Sequence, residues 1–348
     1  MVGDLILPFK IIVELSQSSA SGITTQTDSN ILARVFKIAK EGKLLSLFCN
    51  YVEHFPRHFM VYLKKRCLLT KLYQDYLKIV SEELNFEGIE YYVFKTVKPF
   101  AYDMTDIDIL IPNKKELIKA TNMLMRKYGF RVIKKGTYSI SLRKVIGGFD
   151  VDLDLQMRVA TGTFEYIVIS DLKQMEGIGC VSNRLHLLRP EIELLIVVGH
   201  TFYKDFEISL ANILYARYLL KRVNKHYLSK VLSEYRYLLR PFKLTNFIVN
   251  TFHYILNAGT ISKRQSSQEE IVYYIMERII YNSIKELRGN IRIPLILAAK
   301  LYGEVIKVLA ENHRYTQLRE IVSLPRSRGT GILFRRIGLL PPEETIKV

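Results

Sequence analysis

Residues 149–157 alternate without a break, with Val151, Leu153 and Leu155 on one side and Asp150, Asp152 and Asp154 on the other. Successive side chains of a strand point to opposite faces, so this segment reads as a strand with one face in a core and one face of carboxylates. A second short strand, 107–111, is stopped by Pro112, and the pair Asp106/Asp108 lies two residues apart at its start, hence on one side. Burying carboxylates on strand faces is costly without counter-charge. A chain carrying this pattern has to build a sheet with an acidic face and supply cations to it.

The neighbouring sequence supplies the rest of a small mixed sheet. Residues 89–94, 130–134 and 137–142 read as strands. Between them, 114–128 places Leu117, Ala120, Leu124 and Met125 on one helical face, with Asn113 at the N-cap position and Gly129 where a helix-ending glycine belongs. Upstream, residues 31–83 carry apolar residues at helical spacing, punctuated by Pro56; 4–15 fits a strand or a helix, and 17–30 reads as a loop. From Pro190 the spacing predicts helices over 191–200, 209–223, 228–239, 244–256, 268–287 and 294–311. The expected fold class is α+β: a small mixed β-sheet core flanked by N-terminal helices and a C-terminal helical domain. The expected divisions are 1–84 (mainly helical), 85–178 (sheet core), 179–325 (helical) and 326–348 (a basic arm).

The net charge of +17 over 348 residues favours polyanionic partners, with a Lys/Arg-rich solvated surface as the alternative. Cys49, Cys67 and Cys180 show no CxxC spacing, which argues against a disulfide framework or a zinc knuckle and fits a reducing interior. No basic segment followed by a long apolar run opens the chain, and no apolar run approaches a bilayer span, so a cytoplasmic, soluble protein is expected. There is no GxxxxGK[ST], no GxGxxG after a strand and no HExxH; Gly177-Ile178-Gly179 lacks the third glycine.

The order of the chemistry-bearing segments is informative. A strand ends in Lys95-Thr96, a short loop leads to Thr105-Asp106-Ile107-Asp108-Ile109-Leu110-Ile111, then come a helix and an Asp-rich strand. This order resembles the polymerase-β-like nucleotidyltransferase superfamily, with its Ser/Thr-Asp-x-Asp-hydrophobic motif and a third Asp on a later strand. Within it, the chain is most similar to a family of mostly uncharacterised nucleotidyltransferases with a helical lead-in (here 69–95) and a helical segment after the core (here 188–200 and 205–220). The resemblance implies that Asp106 and Asp108 bind two Mg²⁺ or Mn²⁺ ions, and that Asp152 is the third carboxylate, with Asp154 and Asp150 as alternatives. It implies that Lys95, Thr96 and Thr105 contact NTP, and that His200, with Lys204 nearby, contacts substrate. Thr96 stands where the family usually has glycine.

Arg217, Lys221, Arg222 and Lys225 open a basic run to Lys243 with tyrosines interleaved. Arg217, Lys221 and Lys225 recur every four residues, which would stack them on one helix face. Basic groups beside aromatics suit a nucleic-acid backbone with unstacked bases, and Arg326, Arg328, Arg335 and Arg336 could extend the patch. The expected function is therefore metal-dependent transfer of NMP from an NTP to a hydroxyl on RNA, such as a tRNA end. The alternatives are transfer to a protein hydroxyl, a metal-dependent nuclease, and a non-catalytic nucleic-acid-binding protein on a decayed transferase core.

Overall fold

The computed structural model describes residues 2–17, 28–161, 164–167, 185–258, 268–286 and 288–294, with positions 297, 301, 303, 305 and 307. In it the Asp-rich segment is β5 (Phe149–Gln156), the middle strand of a five-stranded sheet ordered β1-β2-β5-β4-β3. The other strands are β1 (Tyr92–Val93), β2 (Ile107–Leu110), β3 (Arg131–Lys135) and β4 (Ser139–Ile146). β2 runs parallel to β5; the remaining pairs are antiparallel. Val151, Leu153 and Leu155 are fully buried, as the alternation requires.

Local chemistry sets α4 (Lys114–Tyr128). The Asn113 side chain accepts the N–H groups of Lys115 and Glu116, and Gly129 ends the helix in the left-handed region (φ 70). The long α3 (Arg57–Phe86) begins at Pro56, which needs no N–H at a helix start. Its later turns give Tyr73, Leu77, Val80 and Leu84 to the core beneath the sheet, while Leu63 joins a second core.

That second core gathers helices from both ends of the chain. It joins α1 (Val2–Gln17) and α2 (Ser29–Glu41) with α5 (Pro190–His200), α6 (Leu210–Leu220), α7 (Lys225–Glu234), α8 (Arg236–Ala258) and α9 (Gln268–Lys285). Phe9 meets Phe252 edge-on at 5.9 Å. The hairpin β6–β7 (Val159–Thr161, Phe164–Ile167) and the pair β8–β9 (Glu207–Ser209, Asn290–Arg292) complete the described strands. The architecture is thus α+β, a small mixed sheet flanked by N-terminal helices and a C-terminal helical region. Among the described residues no helix is long and apolar enough to cross a membrane.

One open reading is settled and three local expectations are corrected. Residues 4–15, open between strand and helix, are helical. Cys49 and Cys67 form a disulfide (Cα–Cα 5.6 Å), because the 3₁₀ segment Leu45–His54 packs against the first turns of α3. Arg217, Lys221 and Lys225 do not share one helix: α6 stops at Leu220, and Asn224 caps a new helix by accepting the Tyr227 N–H. The helix expected over 228–239 likewise divides at Tyr235, and α8 runs through Pro241. A helical proline leaves the carbonyl four residues back without its donor. Here that carbonyl belongs to Tyr237, and the Tyr203 hydroxyl donates to it at 2.6 Å. Arg326, Arg328, Arg335 and Arg336, the 177–179 glycines and Cys180 lie outside the described residues, as does most of the 17–30 loop.

Candidate metal centre

The parallel register of β2 and β5 sets Asp108 opposite Asp154, and Asp106 precedes Asp108 on the same face. One carboxylate oxygen from each of Asp106, Asp108 and Asp154 lies within 4.8 Å of the others. Asp108 is buried, held at Oδ1 by Gln156 Nε2 (2.7 Å) and at Oδ2 by Lys95 Nζ (3.0 Å). Burial raises its carboxyl to about 7, against the pull of Lys95 and with Asp106 and Asp154 adding to the rise. Asp106 accepts from the Thr105 hydroxyl at 3.0 Å. An all-oxygen, triply acidic set with one buried member is the donor chemistry that a hard divalent cation prefers, so these residues fit Mg²⁺ or Mn²⁺. They are the three that would hold it.

Asp152 is placed differently. Arg143 donates to both its oxygens (2.7 and 2.8 Å) and reaches Asp150 at 2.8 Å. Asp152 lies outside the three-carboxylate cluster.

Asp106 and Asp108 line a cleft of about 200 Å³ together with Lys43, Lys95, Lys98 and Lys204, with His200, and with two further carboxylates, Asp103 and Asp205. Lys95 adopts φ 56, so the left-handed position of this turn is residue 95 rather than 96. Its N–H donates to Glu193 Oε1 at 2.7 Å. Thr96 is buried; its hydroxyl accepts the Asp108 N–H (2.9 Å) and donates to Phe94 O (3.1 Å), which ties the end of β1 to β2. Its hydroxyl is spent on the fold, although the residue lines the cleft. Lys98 donates to Lys95 O at 2.8 Å and sits between the Tyr102 and Tyr215 rings; burial lowers its ammonium to about 8.

His200 and Lys204 come from the junction of α5 with a π-helical turn, Thr201–Asp205. Such wide turns re-aim side chains and recur at functional sites. Burial, reinforced by Lys95 and Lys204, holds the imidazole down to about 3, so it is neutral near pH 7. Nε2 then accepts from Lys204 Nζ (2.9 Å) and Nδ1 donates to Asp205 (3.2 Å). Burial also lowers the Lys204 ammonium.

Arg217, Lys221 and Arg222 line a different cavity, about 420 Å³, with Pro99 and Phe100; Lys225 is exposed at the start of α7. Arg217 lies 3.0 Å from His253 Nδ1. Of the interleaved tyrosines, Tyr215, Tyr235 and Tyr237 are core residues, while Tyr218 and Tyr227 are half-buried.

Several contributors were not singled out from the sequence. Gln156 could have been, since it continues the Asp152/Asp154 face by two residues. Asp103 carried no signal. It is buried and accepts the Leu45 and Ser46 N–H groups at 3.2 and 2.9 Å and the Ser46 hydroxyl at 2.7 Å, with Arg66 at 3.3 Å. It thereby pins the loop leading to Asp106. Tyr73 of α3 pins the same loop by donating to Thr105 O at 2.6 Å. Compared with known proteins, the chain matches no family model, no curated protein and no solved structure.

Proposed function

We propose that this protein is a metal-dependent nucleotidyltransferase of the polymerase-β-like type, moving NMP from an NTP to a hydroxyl acceptor on RNA. The observation that carries the reading is the Asp106/Asp108/Asp154 cluster, of which Asp106 and Asp108 line a cleft shared with four lysines. Carboxylates and ammonium groups lining one small cleft suit a polyphosphate that arrives with its metal: carboxylates take the cation and ammonium groups take the phosphate oxygens. Two ions, when bound, would activate the attacking hydroxyl and stabilise the leaving pyrophosphate. Lys95, Lys98 and Lys204 bind and orient the phosphates, and neutral His200 fixes the direction of Lys204. RNA as acceptor rests on the net charge and on the Arg217/Lys221/Arg222 cavity.

A second reading, a non-catalytic nucleic-acid-binding protein on a decayed core, is favoured by two observations. The Lys95 ammonium already pairs with Asp108, and the Thr96 hydroxyl is committed to backbone. Incubation with each labelled NTP, Mg²⁺ or Mn²⁺ and cellular RNA separates the two. Transfer predicts label in RNA with wild type and none with Asp106→Asn/Asp108→Asn. Label on protein instead would move the acceptor to a protein hydroxyl. RNA binding without label from any NTP would sink the transferase and leave the decayed-core binder.

A further inference from the structure

Among the described residues, every group that holds the buried Asp103 carboxylate comes from two short segments of chain. The Leu45 and Ser46 N–H groups and the Ser46 hydroxyl reach it from the start of the 3₁₀ segment Leu45–His54. The Arg66 guanidinium reaches it from α3. With the Ser46 proton directed at Asp103, the Thr70 hydroxyl of α3 donates to the Ser46 oxygen at 2.7 Å, so the two segments are also tied to each other beside the carboxylate. The Cys49–Cys67 bridge joins these same segments. Cys49 lies three residues after Ser46, and Cys67 directly follows Arg66 and precedes Thr70 by three. The bridge is therefore a covalent clamp on the cradle of Asp103.

Asp103 in turn sets the approach to the metal centre. Its N–H donates to Lys43 O at 2.8 Å, and it stands three residues before Asp106. Both carboxylates line the cleft. A metal ligand carried on a loop is placed by the groups that hold the loop, and losing such supports costs metal affinity. The bridge is also open to attack. Both cysteines are half-buried, and disulfides that a thiolate can reach belong to the labile class. Opening it would leave Leu45, Phe48 and Val52 buried in the helical core. The 3₁₀ segment would stay attached while its hold on Asp103 loosened.

We propose that the Cys49–Cys67 bridge is a redox switch on the metal centre: the oxidised chain holds Asp106 in place for the cation, and reduction by a dithiol weakens cation binding by loosening Asp103. The switch rests on the metal-centre part of the transferase reading and not on which group is transferred. In the reduction, a thiolate of the dithiol bonds to one cysteine sulfur, and the electron pair of the broken S–S bond leaves on the other as a thiolate. The second thiol of the reductant then displaces the first cysteine. The dithiol ends as a disulfide, and two electrons and two protons have passed to Cys49 and Cys67.

The test is calorimetric titration of Mn²⁺ into oxidised wild type, into wild type reduced with dithiothreitol and freed of it without air, and into Cys49→Ser/Cys67→Ser. Asp103→Asn is titrated in both redox states. Reduced wild type and Cys49→Ser/Cys67→Ser are expected to bind Mn²⁺ about tenfold more weakly than oxidised wild type, the low end of the loss when a metal ligand's supports are removed. Their far-UV circular dichroism should match that of oxidised wild type, and reoxidation should restore the affinity of the reduced protein. Cys49→Ser/Cys67→Ser keeps Cys180 and should not respond to dithiothreitol. Asp103→Asn should be weak in both redox states with no further loss on reduction, because changes acting through one contact do not add. Equal Mn²⁺ affinity in the two forms of wild type overturns the switch and leaves the metal centre standing. So does a loss on reduction that is as large in Asp103→Asn as in wild type, or a reduced protein that has lost its circular-dichroism signal, since the bridge would then hold the fold rather than the site. No Mn²⁺ binding by oxidised wild type overturns the metal centre and the switch with it.

Discussion

The two ends of β5 carry the same residue on the same face, yet their charges are met in different ways. Asp152 pairs across the β4–β5 ladder with Arg143, which closes off Asp152 and Asp150 together. Two residues further along, the cross-strand partner of Asp154 is Ser141, and its neighbour on the other side is Asp108. One end is neutralised by a guanidinium built into the sheet. The other concentrates three carboxylates, with a single lysine and a glutamine amide on the buried member. What separates a structural acidic face from a candidate cation site is thus the residue opposite, not the aspartate. A fixed cation suits stability, whereas an incompletely neutralised cluster leaves room for an exchangeable one.

Removing the cluster should have the largest effect. Asp106→Asn/Asp108→Asn is expected to lower nucleotidyl transfer by at least ~10²–10³-fold, the scale on which a fixed electrostatic group of a site is lost. Its circular-dichroism melt should still show a folded protein. Converting one end of β5 into the other is the sharper manipulation. Ser141→Arg places a guanidinium opposite Asp154, as Arg143 stands opposite Asp152. It should cost about tenfold or more in transfer, because a charge-assisted pair competes with the metal for the same oxygens. Excess Mn²⁺ should restore part of the activity, and unchanged transfer at low metal would break the comparison.

His200, in the same cleft, gives a pH test. The folded His200 imidazole stays neutral down to about 3, whereas the unfolded chain takes a proton near 6.5. Between those values the unfolded state binds more protons, so this contribution to stability is present above 6.5 and is lost as pH falls toward 3. Urea titrations near neutral pH and in mid-window should show a steeper acid loss for wild type than for His200→Gln, whose amide can both accept from Lys204 and donate to Asp205. Equal slopes would contradict the buried neutral imidazole. The smallest effect belongs to Arg143→Ser, because that pair is partly solvent-exposed. A loss of about 0.5–1 kcal/mol in urea titration is expected, with transfer unchanged.

The sequence made the acidic face legible because period-two alternation is local: burial along β5 follows it residue by residue. The caps of α4 were legible for the same reason, since Asn113 and Gly129 act within a few residues of themselves. What stayed hidden depends on contacts distant in sequence. Asp103 finds its amides 57 and 58 residues away, and Glu193 finds Lys95 N–H at a separation of 98. The Cys49–Cys67 bridge likewise needed the packing of two elements. Which of Asp150, Asp152 and Asp154 comes close to Asp106 and Asp108 depends on register, which decides whether Arg143 or Ser141 stands opposite. The basic run misled because its four-residue spacing was read without the helix start that Asn224 imposes.

The most direct test of the central claim is calorimetric titration of Mn²⁺ into wild type, Asp154→Asn and Asp152→Asn. Asp154, which shares the cluster with Asp106 and Asp108, should be required: Asp154→Asn is expected to lose most Mn²⁺ affinity while Asp152→Asn titrates like wild type. Affinity lost in Asp152→Asn and kept in Asp154→Asn would place the cation at the other end of β5 and contradict the account.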